Sequence, residues 1–344
     1  MKPNEETRKI QLTGKSTYIV SLPKKWVTSM NLKAGSQIVV SKQGDASLLL
    51  TPKELVKSTK TEEAGILVSQ GDDPNTIARK IVALYLVGYN VIRIKTKDDR
   101  ITSLQRNLIK DLTRRKLVGT EIISDSPDEM KLQILLSYPE LSVENALRRM
   151  CLIAISMHED AIKALQSMSK ELAKEVIALD DEVDRFSLYV IRQLKAAVQN
   201  EAGMKNIGLS NQRDCLGYRV IVKSVERIAD HASKIAENVL ELDEKIDNSV
   251  FQKISEMDSF ARSVFDDATK SLYKKDYALA DSVVSKAKTI VSMENAAIKV
   301  LAKKGVSDVS STRMIMESIR RTAEYASDIA EIVLNLNVDQ IITT

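Results

Sequence analysis

Two stretches of this chain are near-copies of one another: residues 226–237 read ERIADHASKIAE and residues 320–331 read RRTAEYASDIAE. Small apolar residues recur in both at steps of three and four, matching Ala229 with Ala323, Ala232 with Ala326, Ile235 with Ile329, Ala236 with Ala330 and Val239 with Val333. That spacing lines one face of a 3.6-residue helix, and a face this narrow lets two helices approach closely. A single repeat cannot bury such a face alone, so the copies must pack on neighbours within a duplicated helical region.

Composition agrees. With 344 residues the chain is long enough for two or three domains, and its one Trp and four Phe suit helix-on-helix packing better than a large sandwich. No apolar run approaches bilayer length and the start, MKPNEETRK, is polar, so neither signal peptide nor anchor is expected and no membrane insertion; the expected compartment is cytoplasmic. Cys151 and Cys215 stand alone without a CxxC or CxxH spacing and read as buried apolar residues. With only His158 and His231 available, any metal site must rest mainly on carboxylates.

The stretch ERIADHASKIAENVLEL resembles the signature helix of the PhoU family, and the resemblance runs from about Leu141 to Asn337. It implies two tandem three-helix bundles, residues 141–243 and 248–337, and a role in controlling phosphate uptake.

Asp180 with Asp184 and Glu226 with Asp230 each place two acids four residues apart, on one helical face. Two such helices side by side bring like charges together, which costs free energy unless a cation sits among them. Oxygen-rich sites of this kind suit Mg²⁺, Ca²⁺, Mn²⁺ or iron. The same residues also admit ordinary surface pairing, Asp181 with Arg185 and Asp230 with Lys234 at i,i+4. The PhoU resemblance implies that Asp180, Asp184, Glu226 and Asp230 are metal ligands for a divalent or iron ion in the first repeat. In the second copy Arg320 replaces Glu226, Glu324 replaces Asp230, and Ala287 and Val291 fall opposite Asp180 and Asp184, so one metal centre per chain, or none, is expected. His231 points about 100° from Asp230 and is expected to pack locally; His158 reads as structural.

The N-terminal segment, residues 1–53, carries nine Lys or Arg against three acids, net +6, while the rest of the chain is net −2. This asymmetry points to a polyanion partner. Strands are expected at Tyr18–Leu22, Gln37–Ser41 and Leu48–Leu50, with turns at Gly14-Lys15 and Gln43–Asp45 and a short helix opened by Pro23 and stopped at Gly35. So small a unit, poor in aromatics, is expected to form a homodimer, with Trp26 in its core or interface. The run from Arg8 through TGKS, IVSLPKKW and LKAG is similar to the SpoVT/AbrB swapped-hairpin family. That resemblance implies double-stranded DNA binding through Arg8, Lys9, Lys15, Lys24 and Lys25.

Residues 60–139 read as a small α/β domain of order βαβαββ. No Gly-rich phosphate loop is present, and the segment fits either a structural spacer or a ligand-sensing module. Arg106, Lys110, Arg114, Arg115 and Lys116 read as a solvated helix face.

The fold class is thus mainly α with a β N-terminus: an AbrB-like β unit, a small α/β domain and two PhoU-like bundles. The expected function is a phosphate-responsive DNA-binding transcriptional regulator of phosphate uptake genes. One rival docks on a phosphate transporter or sensor kinase and uses the N-terminal unit only as a dimerisation clasp. Another is a metal-binding or metal-dependent phosphatase protein. No nucleophile–base pair, triad or cofactor loop is seen, so no enzyme is expected.

Overall fold

A computed structural model of the protein describes residues 6–14, 16–42, 47–55, 63–135, 141–199, 204, 207–209, 211–304 and 308–342. The chain divides into two compact units, Met1–Lys60 and Thr61–Thr344.

In the first unit β1 (Gln11–Thr13) pairs antiparallel with β2 (Thr17–Ile19), and β3 (Ile38–Lys42) with β4 (Leu48–Pro52). Gly14 takes φ 65° after β1, a left-handed value that suits glycine. Helix α1 (Lys24–Ser29) lies between the hairpins. Pro23 is the extended residue just before the helix rather than its first turn, and β2 ends at Ile19 rather than at Leu22. Lys15 and the Gln43–Asp45 turn lie outside the described residues. The two hairpins form separate two-stranded sheets and leave Leu12 59%, Tyr18 72%, Val40 56% and Leu48 63% exposed. An isolated two-stranded hairpin is marginal in water, so apolar faces of this kind favour burial against a further surface.

The second unit begins with β5 (Glu63–Val68), α2 (Pro74–Val87), β6 (Val91–Thr96), α3 (Ser103–Lys116), β7 (Thr120–Asp125) and β8 (Glu129–Ile134). Local chemistry sets the boundaries. Asp73 caps α2 by accepting hydrogen bonds from the Asn75 and Thr76 amides, Pro74 supplies the first turn, and Gly88 at φ 117° ends it. Thr102 and Gln105 form a capping box at the start of α3. The sheet order is β5-β6-β8-β7, with β5 and β6 parallel and the other pairs antiparallel. Alternate residues Met130, Leu132 and Ile134 of β8 join Ile77, Ile81, Tyr85 and Ile109 in its core.

The helical part follows as α4 (Val143–Ser167), α5 (Lys170–Gln199) and α6 (Asp214–Leu240), then α7 (Asn248–Lys274), α8 (Tyr277–Ala287), α9 (Thr289–Lys304) and α10 (Val309–Leu336). The middle helix of the second repeat is divided at Lys288, whereas its counterpart α5 runs unbroken. The repeated stretches are α6 and α10, which pack along one another. All ten small-face residues named above are buried. Equivalent positions meet: the His231 ring lies 5.7 Å from the ring of Tyr325, its own counterpart. One hydrophobic core, from Val143 to Val333, runs through both repeats.

The α/β part is docked on α5. The buried Arg192 guanidinium donates to the carbonyl oxygens of Tyr85 and of Gly88 (3.1 Å) and to Asn90 Oδ1 (2.8 Å), satisfying carbonyls at the end of α2.

Candidate functional site

Helices α5 and α6 lie side by side and carry the four acids singled out in the sequence. They fall within electrostatic reach of one another. Burial, aided by Asp184 and Asp230 and opposed by Lys116, pushes the Asp180 carboxyl up to about 7, and its buried Oδ1 has no hydrogen-bond partner. Burial also raises Glu226, against a hydrogen bond from Lys223, and raises Asp230, with Asp184 adding to the effect. Each shift reflects a carboxylate disfavoured by desolvation and like charge.

Two lysines partly relieve this repulsion. Lys116, at the end of α3, donates to Asp184 Oδ2 at 2.8 Å and lies 3.2 Å from Asp181 Oδ1. Lys223 donates to Glu226 Oε1 at 2.6 Å. Among the described residues no three His, Cys, Asp or Glu side chains converge closely enough to hold an ion. In donor chemistry alone the set is of the kind a hard cation takes, four carboxylates on two adjacent helices, one with an orphaned buried oxygen.

Several sequence expectations change here. Asp181 pairs with Lys116 rather than Arg185, which instead lies 3.5 Å from Glu182, and no Asp230–Lys234 ion pair forms. The basic face of α3 is not simply solvated: Arg106 and Lys110 both pair with Asp125, and Lys116 reaches the acids of α5.

In the second repeat Arg320 sits where Glu226 sits in the first. Its Nε lies 3.0 Å from Glu294 Oε2, and it also pairs with Glu324. A fixed guanidinium thus neutralises this acidic groove, and Glu294 of α9, not singled out in the sequence, provides the facing carboxylate. The i,i+4 spacing of Arg320 and Glu324 was readable; the Glu294 partner was not.

His158 is structural. Its Nδ1 lies 3.1 Å from Asp258 Oδ1, and its Nε2 lies 3.2 Å from the Ile228 carbonyl and 3.0 Å from Thr322 Oγ1. Asp258 also accepts from Arg262 Nε at 2.7 Å. Ile228 and Thr322 are equivalent positions of the two copies, so one ring ties both repeats together. Burial brings His231 down to about 4 and Cys151 up to about 12.

In the first unit Lys24 and Lys25 are the exposed first residues of α1, and Arg8 and Lys9 lead into β1. Arg8 pairs with Glu6, whereas Lys9, Lys24 and Lys25 have no acidic partner among the described residues. Unpaired cations at a helix N-terminus favour an anion there. No helix among the described residues is long and apolar enough to cross a membrane.

Comparison with known proteins adds two matches. The PhoU domain family covers residues 147–248 and 254–333, and the family described as "Antidote-toxin recognition MazE, bacterial antitoxin" covers residues 11–58. A phosphate-specific transport system accessory protein PhoU homolog of Borreliella burgdorferi is 29% identical over 148 residues, covering 39% of this chain and 65% of the relative. Its Aquifex aeolicus counterpart is 30% identical over 135 residues, covering 38% and 58%. The match thus spans roughly three fifths of these relatives' length. Among solved structures, PhoU from Pseudomonas aeruginosa superposes with TM-score 0.51 at 22% identity, covering 57% of this chain and 96% of that one. The phosphate transport system regulatory protein PhoU from Streptococcus pneumoniae gives 0.50 at 21%, covering 59% and 96%. At these identities the structural likeness concerns the fold.

Proposed function

The chain belongs to the PhoU domain family and joins that domain to an N-terminal MazE/AbrB-like antitoxin domain, and from this premise we propose that it is a phosphate-responsive DNA-binding transcriptional regulator of phosphate uptake genes. The observation that carries the reading is the pairing of a PhoU half with a small basic unit whose Lys24 and Lys25 stand exposed at a helix start, without an acidic partner among the described residues. The exposed apolar faces of Leu12, Tyr18, Val40 and Leu48 support homodimerisation through that unit. Regulation is differential: an effector that binds one arrangement of the PhoU half more tightly shifts DNA occupancy by that difference in affinity. The helical half supplies sensing or docking on a phosphate transporter or kinase component, in keeping with relatives described as phosphate-transport accessory proteins. Within it, Asp180, Asp184, Glu226 and Asp230 would hold a hard divalent or iron cation, which would neutralise their mutual repulsion.

The clasp alternative draws on the same exposed apolar faces, which serve a dimer without any DNA. Salt titration of duplex binding separates the two. Displacement of condensed counterions makes affinity fall steeply with salt, with a log–log slope of roughly −0.9 per phosphate contacted. A slope corresponding to several phosphates supports the regulator; no duplex binding at low salt leaves the clasp.

A further inference from the structure

Helix α5 and the turn from α3 into β7 enclose a cleft of about 300 Å³, lined by Thr113, Arg114, Gly119, Thr120, Glu121 and Arg185. Two of its polar atoms are buried without a hydrogen-bond partner among the described residues, Thr120 Oγ1 and Arg185 Nε. Thr120 is only 6% exposed. Unsatisfied buried polar atoms cost free energy and are rare, so two of them on side chains that line one cleft point to a ligand. Among the described residues the ion pair of Arg185 to Glu182, 3.5 Å through Nη1, leaves Nε unused, and Arg114 has no acidic partner.

Donor geometry rather than net charge selects the ligand class. Glu121, Glu182 and the C-terminal end of α3 disfavour an anion and balance the two guanidinium groups, but Arg185 Nε and the Arg114 guanidinium remain without an acidic partner among the described residues. Forked guanidinium donors beside a hydroxyl match the tetrahedral oxygens of a phosphate group better than a cation or an apolar molecule. We propose that this cleft binds a phosphate-class oxyanion, gripped by Arg185 and Arg114 and completed by the Thr120 hydroxyl. Its volume, at the lower end for small-molecule sites, accepts inorganic phosphate or a phosphate bearing a small substituent. Arg185 follows Asp184, the residue that Lys116 of α3 grips, so a bound anion bears directly on the junction between the α/β part and the first repeat. The choice of phosphate among oxyanions rests on the phosphate-responsive reading above; the donors do not.

The test is calorimetric titration of the full chain with inorganic phosphate, pyrophosphate and adenosine monophosphate separately. The expected result is saturable binding of at least one probe, the tightest identifying free anion or nucleotide as the source. Loss of a charge-assisted donor should weaken it about tenfold or more in Arg185→Gln and in the exposed-site variant Arg114→Gln. Thr120→Val should weaken it as well, while Thr120→Ser stays within about threefold of the parent. Circular dichroism verifies that each variant is folded. Absence of saturable binding by all three probes, or unchanged affinity in both arginine variants, overturns the site. Such a failure leaves DNA binding untouched, whereas phosphate binding without any change in DNA affinity would keep the site and overturn the phosphate-responsive reading.

Discussion

Lys24 and Lys25 are exposed, adjacent at the start of α1 and without an acidic partner among the described residues, so reversing their charge separates a DNA contact from simple solubility. Lys24→Glu with Lys25→Glu is expected to abolish duplex binding, because four units of charge change face the phosphates, and to leave thermal stability within a few degrees. Unchanged affinity at low salt would show that these lysines do not touch DNA. At the centre of the bundle the opposite regime holds. Asp258 is 1% exposed and bonds both His158 and Arg262, so Asp258→Ala leaves the buried His158 Nδ1 without its partner, while Arg262 keeps Glu159. Leaving one buried polar group unsatisfied costs about 1–3 kcal/mol. Urea denaturation should show a loss of that order, and a loss below about 1 kcal/mol would mean that the network does not bind the repeats together.

At the scale of elements, α6 and α10 approach closely because one of the facing residues is Gly217. A Cβ there would lie 2.9 Å from Ile332 Cγ2 and 3.2 Å from Leu336 Cδ2. Gly217→Val is therefore expected to destabilise the protein by about 1–3 kcal/mol through overpacking, read as a lowered melting temperature; an unchanged value would show that α10 gives way freely. The pair α5 and α6 carries the metal proposal. Asp184→Ala with Asp230→Ala is expected to eliminate bound metal, by elemental analysis after purification in metal-supplemented buffer, with helicity intact. A wild type without metal, or a double variant with a full complement, would make these acids ordinary groove charges. Much of this scale was legible in the sequence. Small residues at steps of three and four marked α6 and α10, because periodicity is local chemistry. Pairings across the chain were not legible. Lys116 reads the same whether it faces water or Asp184, 68 positions away, and nothing near Arg192 announces the end of α2 as its partner. Glu294 was missed for the same reason: it compensates Arg320 from another helix.

On the scale of the whole molecule, a shared core joins the two repeats, Arg192 and Lys116 fasten the α/β part to α5, and the small basic unit leaves its apolar hairpin faces uncovered. This organisation suits the regulator proposed above, in which a PhoU half would control a dimeric DNA-binding end. The most direct measurement is recovery and sequencing of genomic DNA crosslinked to the protein in cells grown in high and in low phosphate. Enrichment of discrete sites beside phosphate-uptake genes, with occupancy that changes between the two conditions and is lost in the Lys24→Glu, Lys25→Glu variant, is the predicted result. Uniform recovery without enriched sites, or enriched sites whose occupancy is the same in both conditions, would contradict a phosphate-responsive DNA-binding regulator.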